Sequence, residues 1–195
     1  QIEFDTLIAI PSVTTTAGAT GITTSVATVA GNVTSDNGAT ITERGFVYSL
    51  SENPTIVDSK AITTGTTGAM SKEITGLSIG TTYNFRAYAT NSAGTGYGTN
   101  STFTTLPGDP SNLVASTSGK NSVSLSWSKG NGGNYTIIRR GESAPANINS
   151  GDLVYQGTGT STTDSGLDSG TTYYYRAWSA TTSDWSLSYS ANYTA

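Results

Sequence analysis

The sequence predicts an all-β protein built from two tandem β-sandwiches, with an extra N-terminal strand in front of them. The 195 residues include 23 glycines, and only 11% are charged. An excess of Thr suits half-buried strands, while Gly and Ser suit the turns between them. An eleven-residue segment occurs twice, 90 positions apart, which is close to the length of one sandwich. Short runs of alternating apolar residues fill the remainder.

The repeated segment is LSIGTTYNFRA at 77–87 and LDSGTTYYYRA at 167–177. Its Leu is expected to seal one edge of the core, and its Gly permits the turn that follows. Its Tyr opens the next strand, where the hydroxyl can bond backbone carbonyls at the corner. The strand then alternates, so residues 83, 85, 87 and 89 share one face, as do 173, 175 and 177. Positions 84, 86 and 88, and 174, 176 and 178, share the other.

Other apolar runs mark the remaining strands in chain order. In the first half these are Ala27, Val29, Gly31 and Val33, then the turn Asp36-Asn37-Gly38, then Phe46, Tyr48, Ile74 and Phe103. In the second half they are Val123, Leu125 and the expected core residue Trp127, then a Gly-rich loop at 129–133, then Tyr135, Ile137, Leu153 and Tyr155. Strands at this spacing with Gly/Asn turns are typical of a sandwich.

The stretch Leu106-Pro-Gly-Asp-Pro110 is expected to be an exposed joint between the repeats. The predicted organisation is therefore an N-terminal extended strand at 1–10, a first sandwich at 11–106 and a second at 107–195.

The first ten residues belong to neither repeat. Ile2, Phe4, Ile8 and Ile10 share one face of a predicted strand. One interpretation places this strand along the edge of the first sandwich. The other makes it an assembly strand that adds to a sheet of a neighbouring subunit.

Composition excludes several function classes. The net charge of −4 argues against nucleic acid as a partner. Without Cys or His, thiol chemistry, histidine bases and the usual transition-metal ligand sets are excluded. The acidic residues form no evident catalytic pair, and Asp164 and Asp168 are expected to form turns. We expect no enzyme activity, no cofactor, no metal and no direct membrane insertion; bound calcium stays open.

One aromatic surface is a candidate for a glycan or protein partner. Tyr174, Arg176 and Trp178 share a strand face, and Trp185 and Tyr189 lie on or near the next loop and strand. Exposed Tyr and Trp side chains commonly contact such partners at binding surfaces. The alternative is packing within the sheet, in which Arg stacks on a neighbouring ring.

Two sets of motifs resemble fibronectin type III modules of the immunoglobulin-like fold, as found in microbial surface proteins. The first set is TERGFVYS at 42–49, NPT at 53–55 and TTYNFRAYATNSAG at 81–94; the second is YTIIR at 135–139, LVYQG at 153–157 and GTTYYYRA at 170–177. The resemblance implies a structural or adhesive role in exported multidomain proteins. Integrin recognition does not follow, because Arg140 is followed by Gly141-Glu142 and not by Gly-Asp.

Three functions follow as hypotheses. The chain is a non-catalytic module of an exported surface protein or extracellular assembly, with itself or neighbouring domains as partner and the cell surface as its place. Alternatively, it is a virion decoration or fibre protein. A third hypothesis is a glycan-binding accessory module of a longer enzyme.

Overall fold

A computed structural model of the chain describes residues 7–181 and the main chain of Tyr189–Ala191. Its contacts divide the chain into two compact units. The first unit comprises Gln1–Leu77 and Thr82–Thr105, and the second comprises Ser78–Thr81 and Leu106–Ala195. The described regular structure is all-β, as predicted. No helix in this part of the chain is long and apolar enough to span a bilayer.

The first unit is a sandwich of two antiparallel sheets. Its strands are β1 (Ser12–Thr15), β2 (Val26–Ser35), β3 (Glu43–Ser49), β4 (Ser59–Thr63), β5 (Gly68–Thr75), β6 (Thr82–Asn91), β7 (Gly94–Tyr97) and β8 (Ser101–Thr104). One sheet has the order β1-β2-β5 and the other β4-β3-β6-β7, with β8 also paired to β6. The chain changes sheets between β2 and β3, between β4 and β5, and between β5 and β6, as in Greek-key sandwiches.

The second unit repeats this arrangement. Its strands are β9 (Ser111–Gly119), β10 (Ser122–Ser128), β11 (Tyr135–Gly141), β12 (Asp152–Gly157), β13 (Ser161–Ser165), β14 (Tyr174–Ala180) and β15 (Tyr189–Ala191). The sheets are β13-β10-β9 and β12-β11-β14-β15. Thus β9–β15 match the sheet positions of β1–β7 in order, as a duplication requires.

Each unit encloses its own apolar core between its sheets. The first core centres on Val29, Phe46 and Phe85, and the second on Leu125, Ile138 and Trp127, which is 5% exposed. Trp127 is therefore the core tryptophan that the sequence predicted. In β11 the core residue is Ile138, whereas Ile137 points to the other face of its sheet.

The repeated segment has the local structure expected from its residues. Leu77 and Leu167 are buried at 7% and 6% exposure, and Gly80 and Gly170 have positive φ angles of 57° and 83°. In the second copy the Tyr173 hydroxyl accepts a hydrogen bond of 3.2 Å from the Asp168 N–H. The partner is a backbone amide, where the sequence suggested a carbonyl. In either case the bond ties the new strand to the turn before it.

Residues 7–10 are not in a β-strand, in contrast to the extended strand predicted at 1–10. Side-chain amides bind their main chain instead of a neighbouring strand: Asn91 Nδ2 donates to the Ala9 carbonyl at 2.7 Å, and Asn37 Nδ2 donates to the Ile10 carbonyl at 2.6 Å. The Ala9 N–H donates to the Asn37 carbonyl at 3.1 Å. The expected residues Ile2 and Phe4 lie outside the described part of the chain.

Candidate functional site

The outer face of the first unit's larger sheet is covered by its own β3–β4 loop. Pro54 of this loop is buried. The Ile56 N–H donates to the Tyr97 hydroxyl at 3.1 Å, and the Arg86 guanidinium lies 4.2 Å from the centre of the Tyr97 ring. Arg86 Nη1 also reaches Asn53 Oδ1 at 3.5 Å. Arg86 therefore holds the loop against the sheet through one ring and one amide.

The β11–β12 loop of the second unit is held in the same way. Arg176 Nη1 donates to the carbonyls of Pro145 and Ala146 at 3.0 and 3.1 Å. Its guanidinium lies 5.3 Å from the centre of the Trp178 ring. Arg176 and Arg86 occupy the same position of the repeated segment, and each loop contributes a buried proline. We name this arrangement of arginine, ring and proline loop the outer-face clamp.

The residues of the candidate aromatic surface are less exposed than a ligand-binding surface requires. Trp178 is 3% exposed, and Tyr174 and Arg176 are half-buried. The main chain of Tyr189 pairs with Ser179 in β15, but its side chain and all of Trp185 lie outside the described residues. The Trp178 ring therefore offers no open platform for a ligand, because Arg176 and the surrounding chain already occupy its surface.

Alternation along β6 predicted one buried and one solvent-facing side, but buried residues lie on both sides of this strand. Tyr88 is 0% exposed although it points away from the core. Its hydroxyl donates to Glu43 Oε1 at 2.7 Å, and Lys60 Nζ donates to the same oxygen at 2.8 Å. Burial, reinforced by the bond to Glu43, raises the pKa of Tyr88, while the bonds from Lys60 and Tyr88 lower the pKa of Glu43.

A buried carboxylate in the second unit was missed by the sequence reasoning. Asp164 lies within β13 and not in a turn, and Arg140 Nη1 donates to both of its oxygens at 3.1 Å. The Tyr175 hydroxyl donates to Asp164 Oδ2 at 3.0 Å, and burial with this bond raises the pKa of Tyr175. Arg140 also donates to Asp152 at 2.8 Å. Such a network ties the two sheets together and has the chemistry of a structural ion pair.

The described residues include no group of three or more His, Cys, Asp or Glu side chains able to hold a metal ion. The Asp164 carboxylate, the strongest acidic candidate by burial, has an arginine and a tyrosine as its partners. Its position does not resemble a loop of clustered oxygens that a hard cation would need.

An exposed apolar surface of the first unit lies at its β3–β4 loop. Leu50 and Val57 are 67% and 91% exposed, and Ile56 is 39% exposed. Beside them is a groove of about 560 Å³, lined by Tyr48, Ser49, Leu50, Val57, Asp58, Ser59 and Tyr83. We call this groove and the three aliphatic side chains the loop groove. The sequence hints at it only through the apolar residues of an otherwise polar connection.

No family model matches the chain, and no curated protein matches it. Among solved structures, a segment of two fibronectin type III domains from chicken tenascin is similar, with a TM-score of 0.50 and 17% identity over 95% of this chain and 99% of that chain. The fold is that of tandem fibronectin type III domains. The resemblance predicted from the sequence is thus confirmed at the level of fold.

Two further structures are similar to parts of this fibronectin type III tandem. The FN1–FN3 domains of chicken CNTN1 match with a TM-score of 0.41 and 14% identity, over 90% of this chain and 62% of that one. The sensor domain of the anti-sigma factor RsgI4 from Pseudobacteroides cellulosolvens matches with a TM-score of 0.35 and 21% identity, over 51% of this chain and 97% of that one.

Proposed function

We propose that this chain is a non-catalytic structural module of an exported surface protein or extracellular assembly, joined to neighbouring copies through its N-terminal segment. The observation that carries the proposal is the outer-face clamp. In both units the repeated arginine bonds to a loop beside the domain's own sheet and lies over an aromatic ring, so these side chains serve internal packing. A spacer or assembly subunit needs such pinned surface loops more than it needs a preformed cleft.

The N-terminal segment supports the second half of the proposal. Ala9 and Ile10 are bound to the first unit, whereas Leu7 is 96% exposed and Ile8 and Ile10 are about half exposed. An apolar segment that is anchored at one end and open to water at the other is suited to bind a second protein surface.

Light scattering on the purified chain, together with electron micrographs, tests this proposal. We expect particles or filaments larger than the 20.0 kDa monomer. Removal of residues 1–7 should leave folded monomers, because the bonds from Asn37 and Asn91 to the main chain of residues 9 and 10 are kept. An untruncated chain of residues 1–195 that stays monomeric at concentrations on the order of 100 µM would refute the joining role.

The virion and glycan-binding alternatives require different experiments. A virion decoration or fibre protein would assemble by the same contacts, so labelling of particles with an antibody against this chain separates that role from a cell-surface role. A glycan-binding module would retain a sugar on a glycan array and lose it on replacement of Tyr174 by alanine, since Tyr174 is the half-buried aromatic beside the covered Trp178.

A further inference from the structure

A groove of about 360 Å³ lies at one end of the second unit, between the β9–β10 turn and the turn of the repeated segment. Its volume is within the range of about 300–1,000 Å³ that small-molecule sites occupy. The Leu167 N–H donates to the Asn121 carbonyl at 3.1 Å, and Asn121 Nδ2 donates to the Leu167 carbonyl at 2.5 Å, so the two turns are fixed to each other. The first unit has the corresponding bond, from the Leu77 N–H to the Ser25 carbonyl at 3.0 Å. The two ends are therefore equivalent, and we call this groove of the second unit the end groove.

The end groove is open because the second unit has a much shorter turn than the first. In the first unit residues 16–25 connect β1 to β2, and Ala19 and Ile22 of this connection pack against the core. In the second unit residues 120–121 alone connect β9 to β10. An end that the chain fills in one copy of the duplicated domain is thus left open in the other.

The lining of the end groove combines a few apolar side chains with many uncharged hydrogen-bonding groups. Leu167 and Tyr175 are its buried members. Hydroxyl groups come from Ser116, Thr117, Ser122, Ser169, Thr171 and Thr172. Among the described lining residues, Lys120 is the cation and Asp168 the carboxylate, so their charges cancel.

This chemistry distinguishes between classes of ligand. A phosphate-bearing ligand needs several cationic donors, and a purely apolar ligand would leave the hydroxyl groups without partners. The hydroxyl groups of a neutral sugar both donate and accept hydrogen bonds, and its C–H groups can pack against apolar and aromatic side chains. The mixed lining therefore favours a neutral sugar.

Tyr173 supplies a fixed aromatic ring at the end groove. This residue lines both the end groove and a second hollow, and Arg140 belongs to the second hollow alone. The Arg140 guanidinium lies 5.1 Å from the centre of the Tyr173 ring, so it occupies the side of the ring that faces away from the end groove. The Asp168 N–H donates to the Tyr173 hydroxyl at 3.2 Å, which holds the ring in place.

From these observations we propose that the end groove binds a neutral saccharide of one or two rings. The Tyr173 ring packs against the sugar, and the Asp168 carboxylate accepts hydrogen bonds from neighbouring sugar hydroxyl groups. Asp168 uses its main chain for its bonds to Tyr173 and Thr171, which leaves its two carboxylate oxygens to the ligand. The inference goes beyond the proposed function, because assembly does not require a ligand in the second domain.

The experiment titrates neutral disaccharides of glucose, galactose, mannose and N-acetylglucosamine into the chain of residues 1–195 by isothermal titration calorimetry. Thr117→Trp fills the end groove from an exposed position on β9, where a strand accepts an aromatic residue. Thr163→Trp, at an exposed position of β13 in the same sheet but outside the groove, is its control. Asp168→Ala removes the carboxylate, and Glu142→Ala removes an exposed acid from the second hollow as the matched change of charge.

We expect at least one disaccharide to bind with a dissociation constant on the order of 1 mM or below. Asp168→Ala should weaken binding about tenfold or more and Thr117→Trp should abolish it, while Thr163→Trp and Glu142→Ala bind like the unaltered chain. Circular dichroism checks that each variant is folded. If no disaccharide binds at about 10 mM, the inference is wrong, although the proposed function stands. Binding that survives both Thr117→Trp and Asp168→Ala, or that is lost only with Tyr174→Ala, would place the sugar outside the end groove and also overturn it.

Discussion

Replacing Asp164 by asparagine should destabilise the second fibronectin type III domain far more than the same change at Asp152. Both carboxylates bind Arg140, but their side chains are 10% and 72% exposed, respectively, while that of Arg140 is 18% exposed. Because both carboxylates bind the same arginine, the difference between the stability losses of the two variants measures the effect of burial.

The expected magnitudes follow from that burial. Breaking a buried ion pair costs about 3–5 kcal/mol. Arg140 keeps Asp152 in the Asp164→Asn variant, and the amide still accepts from Tyr175, so we expect a loss of about 2–4 kcal/mol. Asp152 makes the shorter contact and is the largest cause of the raised pKa of Arg140. Water screens this exposed carboxylate, however, so Asp152→Asn should cost less than about 1 kcal/mol.

Tryptophan fluorescence during urea unfolding measures the effect in one domain. The three tryptophans, at 127, 178 and 185, all belong to the second unit, so the signal is independent of the first. We expect the midpoint to fall strongly for Asp164→Asn and barely for Asp152→Asn, with an unchanged slope. Equal shifts for the two variants would refute the reasoning that burial decides the value of the pair.

Three further predictions concern the first domain. Circular dichroism follows the unfolding of both domains, and the tryptophan signal, which comes from the second unit, identifies the second domain's share of the change. Because the pKa of Glu43 is lowered below its ordinary 4.5, its bond to Lys60 stabilises the fold above that pH and is lost as the pH falls through the lowered value. Glu43→Gln should therefore reduce stability at pH 7 and flatten its decline below about pH 4.5; an unchanged acid limb would contradict this. Arg44→Met should lower stability by about 2–4 kcal/mol, because the buried guanidinium donates to four backbone carbonyls of residues 64–68, and a loss below 1 kcal/mol would count against that role. Gly45→Ala should prevent close pairing of β3 with β4, since its methyl group would overlap the Ala61 carbonyl oxygen of β4, and a native midpoint would show that the strands can separate at little cost.

The sequence predicted the fold class and the strand faces because these depend on local periodicity. Alternation placed Phe85 and Ala87 towards the core of the first domain, and Tyr175 and Ala177 towards that of the second. The repeat at 77–87 and 167–177 predicted a duplication, which the matching strand orders of the two units reproduce. The sequence also predicted the Asn-Gly turn, and Asn37 and Gly38 both have positive φ angles, as such turns require.

The candidate surfaces were harder to predict, since they depend on which loop crosses which sheet. Alternation predicts that Arg176 and Trp178 share the face of β14 that points away from the core. It does not predict whether that face is exposed to water or covered by another part of the chain. The sequence predicts a turn at Asp164 because this residue flanks the second copy of the repeated segment, but Asp164 lies in β13. Its partner Arg140 is 24 residues away in the chain, and no local pattern pairs them.

The sequence by itself therefore determined the number of sandwiches, the residues of each strand that face the core, and the Leu and Gly residues of the repeated turn. All of these follow from steric and apolar preferences within a few positions of the chain. The tertiary structure alone decided that the repeated arginine clamps a loop, that Trp178 is covered, and that exposed Leu50 and Val57 border a groove beside Tyr48 and Tyr83. These features arise from contacts between residues distant in the chain, and the folded path of the backbone is what brings such residues together or keeps them apart.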